Sequence, residues 1–286
     1  MHILDGKQVA SRIEEQAISE IDFLKRDYGI TPGLAAVLVG QRTDSEIYVR
    51  NKVRTCEKLG MHSEVCRLPE DISYEGLRAE VGRLNEDTNV HGIIVQLPLP
   101  GHLDRHGVVD MILPEKDVDG LTTSSLARLY RGDPLFEPCT PKGIIKLLDE
   151  YGMVIAGKYA VVLGRGELVG MPLSRMLIGR DATVTVCHRR TPELRDYTMG
   201  ADILVVATAG TPRFVDGDMI KDGAIVIDPG IYKIPGGYVG NVDYQSVKDR
   251  ASYLTPVPGG VGPMTVMMLI DNTITAAKAA GRNLFK

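Results

Sequence analysis

Hydrophobic and polar positions alternate along this chain in two rhythms. Runs of strand length appear as "LAAVLVG" (34–40), "SEVCRLP" (63–69) and "GIIVQLP" (92–98). Between them apolar residues recur every three or four positions, which predicts helices over roughly 7–28, 44–59 and 73–86. A passage rich in Gly, Pro and Asp runs from 114 to 141 and reads as loops approaching a domain boundary. The helical stretch "PKGIIKLLDEYG" then leads into a second series of strands: "YAVVLG" (159–164), "ATVTVCH" (182–188), "DILVVAT" (202–208) and "GAIVIDPG" (223–230). Strands alternating with helices predict an α/β protein with parallel sheets, its second half Rossmann-like. The last segment, "GPMTVMMLIDNTITAAKAAGR", is apolar nearly all round. With Pro263 suited to a first helical position, it predicts a buried helix.

The helix over 44–59 carries the first chemical question. Thr43 and Glu46 have the spacing of a capping box, and Gly60 is a plausible stop. At about 100° per residue, Ser45, Tyr48, Val49, Lys52, Cys56 and Leu59 share one face. Lys52 is therefore a lysine on an apolar stripe. Either it buries its stem and carries its ammonium out to water, or it is a site lysine whose desolvation makes it a proton carrier, oriented by Tyr48 one turn earlier.

Composition narrows the class without choosing within it. Hydrophobic residues make up 44% and charged residues 24% of the 286, an ordinary globular balance. The net charge of -4 and the lack of a basic block argue against a nucleic-acid partner. No apolar stretch is long enough to span a membrane, and the start lacks a signal-peptide pattern. Cys56, Cys66, Cys139 and Cys187 are scattered, which fits a reducing cytoplasm rather than a disulfide or zinc framework. His102 and His106 are spaced for a helical metal pair but lack a third ligand, so no metal is expected.

In the second half, Gly164-Arg-Gly-Glu-Leu-Val-Gly170 follows a strand and opens a helix. Such a turn is either a tight strand-to-helix connection or a seat for a dinucleotide pyrophosphate at the helix N-terminus. The strand about twenty residues on ends in His188-Arg189-Arg190 rather than in the acid that binds an NAD ribose. With Arg165 in the glycine turn, this favours NADP. In the first half, Gln96 ends a strand ahead of Pro98 and Pro100, where it either caps the strand or meets a ligand. "EKDVDGL" offers Asp117 and Asp119, with no basis in the sequence for choosing between them. "TPVPGGVGP" (255–263) is a stiff loop whose open backbone admits close approach by a flat or anionic ligand.

Taken in order, "SEIYVRNK", "GIIVQLPLP", "EKDVDGL", "PCTPKG", "GRGELVGMP" and "TPVPGGVGPMTV" resemble the bifunctional methylenetetrahydrofolate dehydrogenase/methenyltetrahydrofolate cyclohydrolase family over essentially the whole chain. The Y-x-x-x-K pair also resembles that of short-chain dehydrogenases, but there the glycine turn comes first. The resemblance implies oxidation of 5,10-methylenetetrahydrofolate with NADP and hydrolysis of the methenyl product to 10-formyltetrahydrofolate, in a cytoplasmic homodimer. It implies a folate-binding catalytic domain (1–138, with a returning C-terminal helix at 263–286) and a Rossmann-like NADP domain (139–262), meeting at a cleft. Catalytic roles fall on Lys52, Tyr48, Gln96 and Asp119. Further folate contacts fall on Val95 and Leu97, and on Pro258, Gly259, Gly260, Val261 and Gly262. Coenzyme contacts fall on Gly164, Arg165, Gly166 and Gly170, and on Arg189, Arg190 and Ile231. Three departures stand out: Gly166 replaces the family's usual serine, "DPGIYKI" replaces "DVGIN", and Asn241 stands where aspartate is usual. A coenzyme-binding regulatory protein without catalysis is the alternative, and the joint presence of Lys52, Gln96 and Asp119 weighs against it.

Overall fold

The computed structural model describes residues 1–208 and 210–284. In chain order the elements begin β1 (His2–Ile3), α1 (Gly6–Tyr28), β2 (Gly33–Val39), α2 (Thr43–Lys58), β3 (His62–Leu68), α3 (Tyr74–Glu86) and β4 (Gly92–Val95). Next come α4 (Arg105–Val109), α5 (Thr123–Arg131), α6 (Cys139–Glu150), β5 (Tyr159–Leu163), α7 (Gly170–Ile178), β6 (Thr183–Cys187), α8 (Leu194–Thr198) and β7 (Ile203–Val206). The chain closes with β8 (Ile225–Ile227), β9 (Tyr232–Ile234), β10 (Gly237–Val239), α9 (Tyr244–Val247), β11 (Tyr253–Leu254) and α10 (Val261–Leu284). It divides into two compact units, Arg12–Cys139 with Val266–Lys286, and Met1–Ser11 with Thr140–Thr265.

The first unit is built on a parallel sheet in the order β3-β2-β4. β2 lies in the middle and every one of its residues is buried, as a strand covered on both faces requires. Leu77, Val81 and Leu84, spaced at three and four along α3, are fully buried against Ala35, Val37, Ile93 and Val95. Each such side chain contributes about 1.5–3 kcal/mol of burial. The C-terminal helix joins this unit from Val266 onward. Asn272 on it donates to the carbonyls of Val118 (2.8 Å) and Glu137 (3.1 Å). Of the expected returning helix at 263–286, residues 285 and 286 lie outside the described ones.

The passage from 114 to 141 is not all loop. α5 forms inside it because Thr122 accepts from the Ser125 amide at 3.1 Å, arginines fill the last turn, and Gly132 ends it. That T-x-x-S cap was legible but hidden by the surrounding prolines and glycines.

The second unit carries a six-stranded sheet in the order β1-β11-β8-β7-β5-β6, all neighbours parallel. Four of these strands match the apolar runs. The two beyond β8 do not: β11 and β1 are two residues each, too short for a periodicity to register. Pairing of His2 with Tyr253 and Ile3 with Leu254 draws Met1–Ser11 into this unit, whereas the sequence reading assigned the N-terminus to the folate domain. A separate antiparallel hairpin, β9 with β10, fills the stretch after β8. Among the described residues, no helix is long and apolar enough to cross a membrane.

Candidate active site

α2 starts at Thr43 with Arg42 as its cap residue and no side-chain cap. The expected capping box does not form: Arg42, not Thr43, is the cap, the Glu46 amide donates to Arg42 O at 3.0 Å, and the Glu46 carboxylate pairs with Arg67 at 3.3 Å. The stop is as expected: Gly60, at φ +71°, takes a left-handed conformation that side chains disfavour, and its amide donates to Glu57 O at 3.0 Å. Ser45, Val49, Cys56 and Leu59 are buried, which fixes the face. Tyr48 lies at the edge of that stripe, about 60° from Ser45 on the helical wheel. Its ring is 48% exposed, not buried as its place on the stripe implied.

Lys52 is partly buried, and its Nζ donates to Gln96 Oε1 at 3.2 Å. Gln96 is held at both ends. Its backbone amide continues the ladder to Val37 O at 2.9 Å, and its Nε2 donates to Leu97 O at 2.8 Å. The second bond orients the amide, so its oxygen is the atom offered to Lys52. Gln96 therefore both caps the end of β4 and faces Lys52. Val95, just before it, is buried, and Leu97 is partly so.

The structure separates the two aspartates. Asp117 is buried, and its carboxylate accepts from the amides of Gly120 (3.1 Å), Leu121 (3.3 Å) and Thr122 (2.9 Å). Its acceptor capacity holds the turn into α5. Asp119 is the carboxyl near Lys52. Burial pushes its pKa up from the usual carboxylate range; the Lys52 charge and a hydrogen bond from Cys139 oppose this, and Asp117 adds to it. An acid that is costly to ionise beside a lysine is the kind of group that awaits a polar ligand.

In the second unit, β5 ends at Leu163 and the chain turns at Gly164, with φ +116°. A Cβ at Gly164 would collide with the Ala207 carbonyl oxygen, and one at Gly170 with the carbonyl of Gly164 itself. The turn is drawn in so tightly that only glycine fits at its two ends, and α7 begins at Gly170 with no side-chain cap. Its first amides are thus unclaimed by a capping side chain, as a pyrophosphate seat requires. Gly166 differs: nothing lies within 4 Å of where its Cβ would be.

Arg165, Arg189 and Arg190 are all exposed. The backbone carrying the last two is nevertheless fixed. Thr191 N donates to His188 O at 2.8 Å, and His188 N donates to Thr191 Oγ1 at 3.0 Å. Ile231, next to the start of β9, is 44% exposed. The loop with Pro258, Gly259, Gly260, Val261 and Gly262 also belongs to this unit. The start of α1 closes on it: Lys7 N donates to Gly259 O at 3.0 Å, and a Cβ on Gly6 would collide with Gly260 O.

Two features outside these groups are structural. Glu64, Cys66 and Glu80 lie together in a form that suits a cation. The cation there is Arg83, whose guanidinium reaches Glu64 at 2.5 Å and Glu80 at 2.7 Å. His102 Nε2 sits 3.0 Å from Ile72 O, and His106 lies on the short helix α4. Sequence reasoning missed a buried cluster after β8. Asp228 accepts from the amides of Gly230 (2.9 Å) and Val242 (2.7 Å), and beside it Asn241, Tyr232 and Thr208 are joined by hydrogen bonds. An acid ending a strand in "AIVIDPG" was the available signal.

Known proteins match this chain over nearly its whole length. Residues 4–119 match the model of the tetrahydrofolate dehydrogenase/cyclohydrolase catalytic domain, and residues 138–281 match that of the NAD(P)-binding domain of the same family. The bifunctional protein FolD of Thermodesulfovibrio yellowstonii is 51% identical over 98% of this chain and 98% of its own. The crystal structure of the FolD dehydrogenase/cyclohydrolase from Campylobacter jejuni superposes with a TM-score of 0.95 at 43% identity, over 98% of this chain and 99% of that one. A Trypanosoma brucei methylenetetrahydrofolate dehydrogenase-cyclohydrolase, solved with NADP cofactor and an inhibitor, gives 0.92 at 42% identity over 97% of both chains. With both family models matched in order and the glycine turn, Lys52, Gln96 and Asp119 placed as described, this chain belongs to the tetrahydrofolate dehydrogenase/cyclohydrolase family.

Proposed function

We propose that this enzyme, a methylenetetrahydrofolate dehydrogenase and methenyltetrahydrofolate cyclohydrolase, carries its proton chemistry on Lys52, holds the pterin with Asp119 and prefers NADP to NAD. The hydrogen bond between Lys52 and Gln96 carries this reading, because it fixes the lysine head near Asp119, a carboxyl whose pKa burial pushes up. Asp119 supplies two acceptor oxygens, which match the adjacent N–H donors of a 2-amino-4-oxopyrimidine edge. Tyr48, Val95 and Leu97 line the substrate. In the hydrolysis, water adds to the methenyl carbon, and Lys52 relays the proton that must then move. Gln96 keeps the Nζ aimed and polarises the substrate.

The glycine turn fits a dinucleotide: its two obligatory glycines bring backbone to the N-terminus of α7. When bound, the nicotinamide takes up the hydride that leaves the one-carbon bridge. Gly164, Gly166 and Gly170 seat the phosphates, Arg165 and Arg189 meet the 2′-phosphate with Arg190 beside them, and Ile231 packs on the coenzyme. Folate chemistry is assigned to the first unit and coenzyme binding to the second. Four free cysteines, all buried, support a reducing compartment, and so the cytoplasm. β6 is an edge strand of the sheet and Met171 and Ile178 on α7 are exposed, which supports a homodimer.

The test is turnover of methylenetetrahydrofolate with each coenzyme, and methenyl decay with none. Reduction of NADP at a higher kcat/KM than NAD, with coenzyme-free methenyl hydrolysis above the buffer rate, is the expected result. Coenzyme binding without either reaction is the outcome that restores the regulatory alternative.

A further inference from the structure

The strand order of the second unit sets β5 between β6 and β7. The chain leaves β5 to one side and returns on the other, and the crevice beyond the carboxyl ends of β5 and β7 is where a doubly wound sheet takes its ligand. One wall is the Gly164–Gly170 turn and the other is the backbone that follows β7. The walls meet: a Cβ on Gly164 would collide with Ala207 O and lie 3.3 Å from Thr208 N.

That second wall is held from behind. Asn241 is fully buried, and its Nδ2 lies 3.0 Å from Thr208 Oγ1, 3.0 Å from Thr211 O and 2.9 Å from the Tyr232 hydroxyl. Tyr232 in turn donates its hydroxyl proton to Thr208 O at 3.1 Å and accepts the Gly210 amide at 3.0 Å. The Asn241 amide shares its two protons among its three acceptors, and with Tyr232 it ties Thr208, Gly210 and Thr211 together.

We propose that Tyr232 and Asn241 are positioning residues for the coenzyme, a latch that sets the wall after β7 against the glycine turn. It rests on the coenzyme reading above and deepens it. The latch has a direction: amide to phenol to Thr208 carbonyl. Because Asn241 Nδ2 can only donate, the phenol receives there and keeps its own proton for Thr208 O. An aspartate at 241 can only accept when ionised, so the phenol would turn its proton to the carboxylate and Thr208 O would lose its donor. It would also set a second carboxylate near Asp228: the space beside Gly230 where a Cβ would collide with Asn241 Oδ1 lies 3.0 Å from Asp228 Oδ1. Asn241 and Tyr232 are therefore matched to each other.

The test uses the full-length enzyme carrying Tyr232→Phe, Asn241→Asp or both. NADP affinity is read by calorimetry, dehydrogenase KM and kcat by absorbance, and methenyl hydrolysis without coenzyme as the internal control. Each single change is expected to raise Kd and KM for NADP about tenfold, the scale of one lost hydrogen bond. kcat at saturating NADP and methenyl hydrolysis should hold within about twofold, and the double variant should be no worse than either single one, because the two act as one unit. Affinity unchanged in Tyr232→Phe overturns the proposal, as do effects that multiply in the double variant or a parallel loss of methenyl hydrolysis. If Asn241→Asp does not fold, Tyr232→Phe, which removes one oxygen atom, decides alone. Failure of the underlying coenzyme reading shows separately, as a native enzyme that does not bind NADP.

Discussion

Lys52 and Gln96 are 44 positions apart and share a 3.2 Å hydrogen bond. The lysine reaches it from the third turn of α2, and the glutamine from the residue where β4 stops. Lys52→Met keeps the apolar stem and deletes the ammonium, so α2 should still pack. Methenyl hydrolysis should fall by about two to four orders of magnitude, the span of general acid–base groups. Hydrolysis near the native rate in a folded Lys52→Met enzyme would remove Lys52 from the proton path.

Asp119 predicts a pH signature. Folding raises its pKa, so between its unfolded value near 4 and its folded value the native chain binds more protons than the unfolded one. Its contribution to stability is therefore greatest at low pH and is lost as pH rises. Asp119→Asn escapes that loss. In the ligand-free enzyme, the Tm of the variant should climb relative to native as pH rises above about 4, while folate affinity drops and NADP affinity stays. A Tm difference that is flat with pH would mean that the fold does not hold the Asp119 pKa above its ordinary range.

The glycines of the coenzyme turn should respond oppositely. Gly164→Ala forces a Cβ onto Ala207 O at a left-handed φ, which should destabilise the unit and abolish tight NADP binding. Gly166→Ser meets open space and restores a hydroxyl donor near the phosphates. It should lower KM for NADP by several-fold to about tenfold, with stability unchanged. Steady-state kinetics and a melting curve on the two variants distinguish the roles.

Arg165→Ala and Arg189→Ala test the coenzyme preference. One charge-assisted contact to the 2′-phosphate is worth roughly 1.5–3 kcal/mol, or about ten- to a hundredfold in NADP over NAD. Losing Arg165 should remove most of the preference by raising KM for NADP and leaving NAD unchanged. A preference that survives both substitutions places the phosphate elsewhere.

How much of this was legible depended on length of signal. "LAAVLVG" named its strand to within a residue, while "GIIVQLP" and "GAIVIDPG" each overran the end of theirs by three; the glycine turn was placed by its strand before and helix after. β1 and β11, two residues each, carry no period and exist only because they pair with each other and with β8. α5 was lost to punctuation around it. At the site, Lys52 and Gln96 were found separately, by face and by strand end; that Gln96 holds Lys52 was an expectation from their shared site, and the 3.2 Å bond joins the two. The residues alone did not tell Asp117 from Asp119, and only the family resemblance named Asp119; what separates them physically is which carboxylate the backbone amides at 120–122 claim. Tyr48 was misjudged because a helical wheel gives a direction and does not say where the neighbouring layer ends.

The pairing of β1 with β11 has a consequence for how the protein is made. The opening strand lines up with residues from the far end of the chain, so the edge of that sheet cannot close while the ribosome is still translating the middle. At about 5–20 residues per second, the first residues wait for roughly ten seconds or more before their partner emerges. The β3-β2-β4 sheet has no such delay, because all its strands lie within residues 33–95. Nascent chains should therefore gain protease protection there first, with the N-terminal strand among the last segments to be protected.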